Sequence, residues 1–505
     1  MMRMAALVIG LVLASGAHAQ APPAPVKVQV EGGVLAGVAT ERANVFKAIP
    51  YAAPPVGALR WAAPRPVVPW TGERDATANG PSCMQPMNEN GTPNEGGANG
   101  PMSEDCLQLN VFAPKAAKKA PVMVWIHGGS HRTGAGWVYD GSAFARDGVV
   151  LVTLNYRLGP LGYFAHPALT AEAGAGPTGN YGLMDQIAAL KWVRRNIAAF
   201  GGDPKSVTVF GESAGGASTL ALLTAPSARP LFKRAIVQSG GGWSPPLSLP
   251  EKEAQGVRIA DELRLAGAQA TAADLRKLPA ATLIAKVGGP FGPFVDRKLL
   301  PETPAQAFAA GRAYDVPMII GANSGEDSLM GPWKPEMAAL IPPAARGVYA
   351  EEAAKGDEAV ARAVFGDRIM VGPARWIAAK ASPGKPAWLY HFSYVGARFR
   401  PMGVTRAFHA AEIQYVFEYW GRRTPMSAVS EDDRAMAALM HGCWVAFAKT
   451  GTPAKCGPAP WPAYSPKTDQ LMEFGAQSGV RAGFRKSRLD AQETTALPTL
   501  WLPAN

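Results

Sequence analysis

The sequence predicts an α/β fold: a central, mostly parallel sheet flanked by helices, with helical cap insertions. Three observations predict it. Short runs that are apolar at nearly every position occur at 121–126, 149–154 and 207–210, the pattern of strands buried on both faces of a sheet. Between the second and third, Leu183, Ile187, Leu190, Val193, Ile197 and Phe200 recur every three or four positions, which is helical spacing. Strand–helix–strand alternation then argues for a parallel sheet wrapped by helices.

The remaining elements follow in order. Segments 27–30 and 33–37 read as strands joined by a tight turn, and 107–112 alternates apolar and polar as a strand does. Between them, 80–104 is rich in Gly, Pro and Asn and reads as a long surface loop. Further strands are expected at 235–237, 316–321 and 388–394. Segments 250–285 and 335–380 are Ala-rich and helical, which fits a cap over one end of the sheet. No repeat and no Ser- or Pro-rich linker divides the chain, so residues 20–505 are expected to form one domain.

Composition narrows the class. Of 505 residues 48% are hydrophobic, ample for a large core, and only 18% are charged, which excludes a disordered chain. The formal net charge is +11, but the basic residues are scattered. Without a basic stripe or a module signature, a nucleic-acid partner is not expected. The N-terminus has Arg3, an apolar run over 4–13, and Ala17-His18-Ala19. This reads as a signal peptide, residues 1–19, cut after Ala19. The apolar run is too short for a span of ~20 residues, and no later segment is long and apolar enough. The mature protein is therefore expected to be secreted or periplasmic. The four cysteines then pair most naturally within their near neighbours, Cys83–Cys106 and Cys443–Cys456. No Cys-x-x-Cys spacing or histidine cluster marks a metal site.

Chemistry enters at Gly211-Glu212-Ser213-Ala214-Gly215. The G-x-S-x-G pattern alone is common, but here a buried-type strand runs into it and a helix-compatible run, 217–224, leaves it. Such a strand-to-helix turn exposes a strained serine hydroxyl, the nucleophile elbow of the α/β-hydrolase fold. The segment His127-Gly128-Gly129-Ser130 directly follows the strand 122–126, where an oxyanion loop belongs in this architecture. The amides of Gly128, Gly129 and Ala214 are the candidate donors, and His127 reads as a loop-shaping residue. In this fold the base and acid follow the serine in the order Ser, acid, His. That order sets aside His18, His127, His131 and His166. His391 sits in a strand-like run and His441 in a helical one, which leaves His409, in a loop. The acid should follow a strand between Ser213 and His409. Glu326 and Asp327, after the strand at 316–321, both qualify, with Asp296 a third candidate in a turn. Trp243, Phe291 and Phe294 are candidates for the acyl pocket.

Taken together, these segments resemble the type-B carboxylesterase and cholinesterase family over nearly the whole mature chain. The resemblance rests on Ile49-Pro50-Tyr51-Ala52 through Gly57, on Ser103-Glu104-Asp105-Cys106-Leu107 with Leu109-Asn110-Val111, and on Asn155-Tyr156-Arg157-Leu158-Gly159. It continues through Gly179-Asn180-Tyr181-Gly182-Leu183 with Asp185-Gln186, Phe200-Gly201-Gly202-Asp203-Pro204, and Gln238-Ser239-Gly240. It implies an α/β-hydrolase acting on small-molecule carboxylic esters without a cofactor. It further implies Glu326 as the acid, His409 as the base within His409-Ala410-Ala411-Glu412-Ile413, and a Cys83–Cys106 bridge. The chain departs from the family pattern at Asp327 and Ala410, where the family has Gly, and a small residue at 410 is expected to change little. The 83–106 loop holds no aromatic residue, so it has no ring for a choline head.

Overall fold

The computed structural model describes residues 24–244, 247–334, 345–421, 424–453, 455–457 and 459–500. The signal-peptide segment 1–19 lies outside them. Twelve strands follow one path across a 13-stranded sheet: β1 Ala24–Val30, β2 Gly33–Ala39, β3 Asn44–Pro50, β4 Gln108–Ala113, β5 Ala120–Ile126, β6 Val150–Leu154, β7 Gly202–Glu212, β8 Arg234–Gln238, β9 Met318–Asn323, β10 Ala387–Phe392, β11 Gln470–Phe474 and β12 Gly479–Ala482. Their spatial order is β1-β2-β3-β4-β6-β5-β7-β8-β9-β10-β11-β12, and a short strand, Glu73–Asp75, pairs with β2 off this path. Every neighbouring pair from β6 through β11 is parallel, and the flanking pairs are antiparallel.

The apolar runs are explained by what each face covers. Along β5, Val122, Val124 and Ile126 enter one hydrophobic core, while Met123 and Trp125 enter a second on the opposite face. The same division separates Val209 from Phe210 in β7 and Ile320 from Ile319 in β9. The first core receives helices α1 Tyr181–Asn196 and α2 Ala214–Thr224, through Leu183, Ile187, Leu190, Leu220 and Leu223. Helix α3 Leu249–Glu262 adds Ala260 to the first core, and α4 Gly372–Ala381, within a segment expected as cap, adds Trp376 and Ile377 to it as well. The second core receives α5 Glu431–Thr450 through Met436, Met440, Trp444 and Phe447. A capping box, Ser430 with Asp433, starts α5, and Gly451 in the left-handed region (φ 82°) ends it.

Both expected disulfides are present. One fastens α5 to the segment after it, and the other fastens the two ends of the 83–106 loop. A buried ion pair ties the sheet to α1. Asp185 Oδ2 accepts from Arg157 N (3.0 Å) and Nε (2.8 Å), and Oδ1 accepts from Nη2 (2.8 Å). Both side chains are almost wholly out of water. Burial pushes the Asp185 carboxyl up, and Arg157 pulls it partly back. Removing one partner leaves the other charge buried alone. Asp185→Ala is therefore expected to cost about 3–5 kcal/mol in urea unfolding, and the double change Arg157→Met with Asp185→Leu less than that. A double variant no more stable than Asp185→Ala would contradict this.

Candidate active site

Ser213 sits where β7 turns into α2, with φ 56° and ψ −122°. That conformation is costly for a residue with a Cβ, on the order of 1–3 kcal/mol, so its surroundings must impose it. Its amide donates to Gln238 O at the end of β8 (2.9 Å), and its carbonyl accepts from Ala217 N (2.8 Å). At Gly215 the helix backbone passes so close to β5 that a Cβ would lie 1.9 Å from Ile126 O. The first amides of α2, beginning with Ala214, have no partner within the helix and lie beside the serine.

The loop after β5 crosses the same point. A Cβ on Gly128 would lie 2.8 Å from Glu212 O and 3.1 Å from Ser213 Cβ. Gly128 thus lies against Ser213, Ala214 follows it in the chain, and Gly129 lines the same cavity as both Ser213 and Ala214. His127 is turned into the protein. Its Nδ1 contacts Gly128 O at 2.8 Å, and its ring stacks on Tyr156 with centroids 4.5 Å apart. Burial lowers its pKa to about 4, so it stays neutral.

His409 arrives from the loop after β10, which is stitched to the loop after β9. Gly325 N donates to Ala407 O (2.7 Å), His409 N to Ser328 Oγ (2.9 Å), and Asn323 Nδ2 to Phe408 O (3.0 Å). His409 Nδ1 then meets Glu326 Oε2 at 2.5 Å. The other oxygen, Oε1, accepts from Ser239 Oγ (2.6 Å) and Asn323 N (2.7 Å). Asp327 points elsewhere, its Oδ2 taken by Arg406 Nη2 at 2.7 Å. Asp296 is a turn residue whose Oδ1 accepts three backbone amides.

The other histidines are accounted for. His131 Nε2 lies 3.0 Å from Ser218 Oγ, and burial drives its pKa down to about 3. His166 caps a helix, His391 is buried in β10, and His441 packs between Val416 O and Asp147.

The profile of the Carboxylesterase family matches residues 24–340 and 338–492. The chain belongs to the carboxylesterase family. It is 38% identical to a fumonisin B1 esterase of Sphingopyxis macrogoltabida, over 90% of this chain and 87% of that one. It is 36% identical to a para-nitrobenzyl esterase of Bacillus subtilis, over 88% and 94%. Among solved structures, a PNB esterase superposes with a TM-score of 0.79 at 33% identity, covering 92% of this chain and 99% of that one. A carboxylesterase of Geobacillus stearothermophilus gives 0.77 at the same identity and coverage. The fold is that of an α/β-hydrolase, and the protein is a serine carboxylic-ester hydrolase.

In this carboxylesterase, Ser213 opens into a cavity of about 850 Å³. Trp243, Phe291 and Phe294 all line it. Trp243 and Phe294 are also nearly buried, so they serve cavity and core at once, while Phe291 is half-buried.

Three further residues act on the His409–Glu326 pair: Glu212 and Glu412 through their charge on the imidazole, and Ser239 through its bond to Glu326. Each lay inside a quoted motif, but nothing local to the sequence showed where it points. His409 Nε2 lies 3.0 Å from Glu212 Oε1, off the N–H axis, so the contact is ionic rather than a hydrogen bond. Burial lowers the imidazole pKa, but the charges of Glu212, Glu326 and Glu412 outweigh it and push it up to about 10. A base must be neutral to act, so a raised pKa moves the acidic limb of the pH–rate profile upward. Glu212→Gln is expected to move that limb of kcat/KM down by about one pH unit. An unmoved limb would show that Glu212 does not act on the imidazole.

Proposed function

We propose that Ser213 is the nucleophile, His409 its general base, Glu326 the residue that orients His409, and Gly128, Gly129 and Ala214 the oxyanion donors. The observation that carries this reading is the placement of His409. One ring nitrogen is bonded to Glu326, and the other lies against Glu212, the residue before Ser213. His409 Nε2 takes the hydroxyl proton as Ser213 Oγ attacks the ester carbonyl, and the backbone amides receive the oxyanion. The proton passes to the alcohol, which leaves. Water then attacks the acyl-serine with the same proton route, releasing the acid and restoring the hydroxyl. Glu326 holds the orientation of the imidazole and stabilises the imidazolium.

Residues 20–505 are read as one domain, exported after cleavage behind Ala19. Two disulfides support an oxidising compartment. No described helix is long and apolar enough to cross a membrane. A mature N-terminus at Gln20, read by mass spectrometry, is the expected result.

Hydrolysis of short-chain aryl esters tests the roles. Ser213→Ala is expected to lose at least about 10³-fold in kcat and to resist labelling by an organophosphonate. Glu326→Gln should lose far more activity than Asp327→Asn. The reverse order would move the acid to Asp327, and an active, labelled Ser213→Ala would remove the reading.

A further inference from the structure

Lys252 is out of place on any purely structural account. It is 5% exposed and lines the cavity that holds Ser213. Among the described residues it forms no ion pair. Its ammonium donates to the neutral Gln255 Oε1 (2.7 Å) and lies 5.9 Å from the Phe294 ring centroid. It also stands in the first turn of α3, the positive end of the helix dipole, where a cation is disfavoured. The neighbouring acid does not help, because Glu251 Oε2 is bonded to Ser248 N and Oγ, both at 2.7 Å. Burial accordingly lowers the pKa of Lys252. A buried, unpaired charge is normally removed or partnered. Among the described residues no carboxylate pairs with this one, whose only contacts named are neutral.

A second cation shares the cavity. Arg132 follows the oxyanion loop directly, its guanidinium lies 5.7 Å from the Phe291 ring centroid, and it too forms no ion pair among the described residues. Of the carboxylates lining the same cavity, Glu302 is engaged by Arg312, and Glu95 is exposed at the rim. The four charged residues lining the cavity thus balance in number, but the most buried of them, Lys252, is positive and has no carboxylate beside it.

Both cations stand over the two phenylalanines of one loop, 289–295. That loop is held rigidly. Asn180 bonds both backbone groups of Phe294 (2.9 and 3.1 Å), and the segment carrying Lys252 pairs with Val295 through Leu249 N to Val295 O (3.0 Å) and Val295 N to Leu247 O (3.0 Å). The ammonium is therefore preorganised and does not need to be recruited.

We propose that this cavity takes esters whose acyl group carries a second, free carboxylate, received by Lys252 with Arg132 on the far side from the scissile carbonyl. The proposal rests on Ser213 forming the acyl-enzyme. The incoming carboxylate supplies the counter-charge that the fold withholds, and hydrolysis releases a dicarboxylic acid.

Two matched esters test it, mono-4-nitrophenyl adipate and 4-nitrophenyl hexanoate, which differ by the terminal carboxylate. The ratio of their kcat/KM values is expected to fall about 10- to 100-fold in Lys252→Met, the range for a charged hydrogen bond, and to be largely retained in Lys252→Arg. An unchanged ratio in Lys252→Met overturns the proposal. Should that variant fail to fold, the wild type decides. Free adipate should inhibit hexanoate hydrolysis competitively, and adipamide far less. Equal inhibition by the two, or none by adipate, also overturns it. A wild type that cleaves hexanoate but not adipate rejects the acyl carboxylate alone. One inert toward both esters rejects the acyl-enzyme reading and this proposal with it.

Discussion

The site depends on the backbone of Ser213 being held where an L-residue does not rest. The parallel register of β5, β7 and β8 frames that conformation, since it sets Gly211 level with Ile126 and Glu212 level with Gln238, just before the turn. The same contacts that twist the serine also set the proposed oxyanion amides. Helix α2 starts at Ala214 because the strand ends at Glu212, and the Gly128 loop lies against Ser213 because Gly128 has no Cβ to hold it away. The proposed nucleophile and donors are therefore parts of one framework, placed before any substrate arrives.

Around that unit the protein gathers negative charge on a single imidazole. Glu212, Glu326 and Glu412 are all buried. Such a cluster is tolerable only when its lone pairs are occupied. Glu326 is bonded by Ser239, Asn323 N and His409. Glu412 is held by Asn323 Nδ2 (2.6 Å) and Gln238 Nε2 (3.0 Å), and Gln238 in turn accepts from Trp444 of α5. The network thus runs from the imidazole through the sheet to a helix on its far face. Burial pushes the Glu412 carboxyl up, and the bonds from Asn323 and Gln238 pull it partly back.

What the sequence made legible follows from how local each signal is. Buried strands, the amphipathic helix after β6, the serine turn and the glycine loop each announce themselves within about ten residues. Their observed ends differ from expectation by only a few positions. β7 extends back to Gly202, and α2 begins at Ala214, at the motif itself rather than after it. The acid was not legible in this way. Glu326 and Asp327 are adjacent and chemically alike, and they are separated only by Arg406, 79 residues away, which claims Asp327. The roles of Glu212, Ser239 and Glu412 are equally non-local. Ala410 shows a different kind of gap. Its small size suggested that it could replace glycine freely, but its φ is 63°. Backbone handedness, not bulk, is what the position constrains.

Glu326 and His409 are 83 residues apart in sequence, and Gln238 and Glu412 are 174 apart. Contacts of this separation form only after large chain loops have closed. The serine turn can exist as soon as β5, β7 and β8 pair, but the imidazole cannot reach it until β9 and β10 have joined the sheet. During refolding, competence for ester cleavage should therefore emerge last, after most secondary structure. Turnover in this chain is a measure of completed topology, and a more stringent one than helicity or compactness.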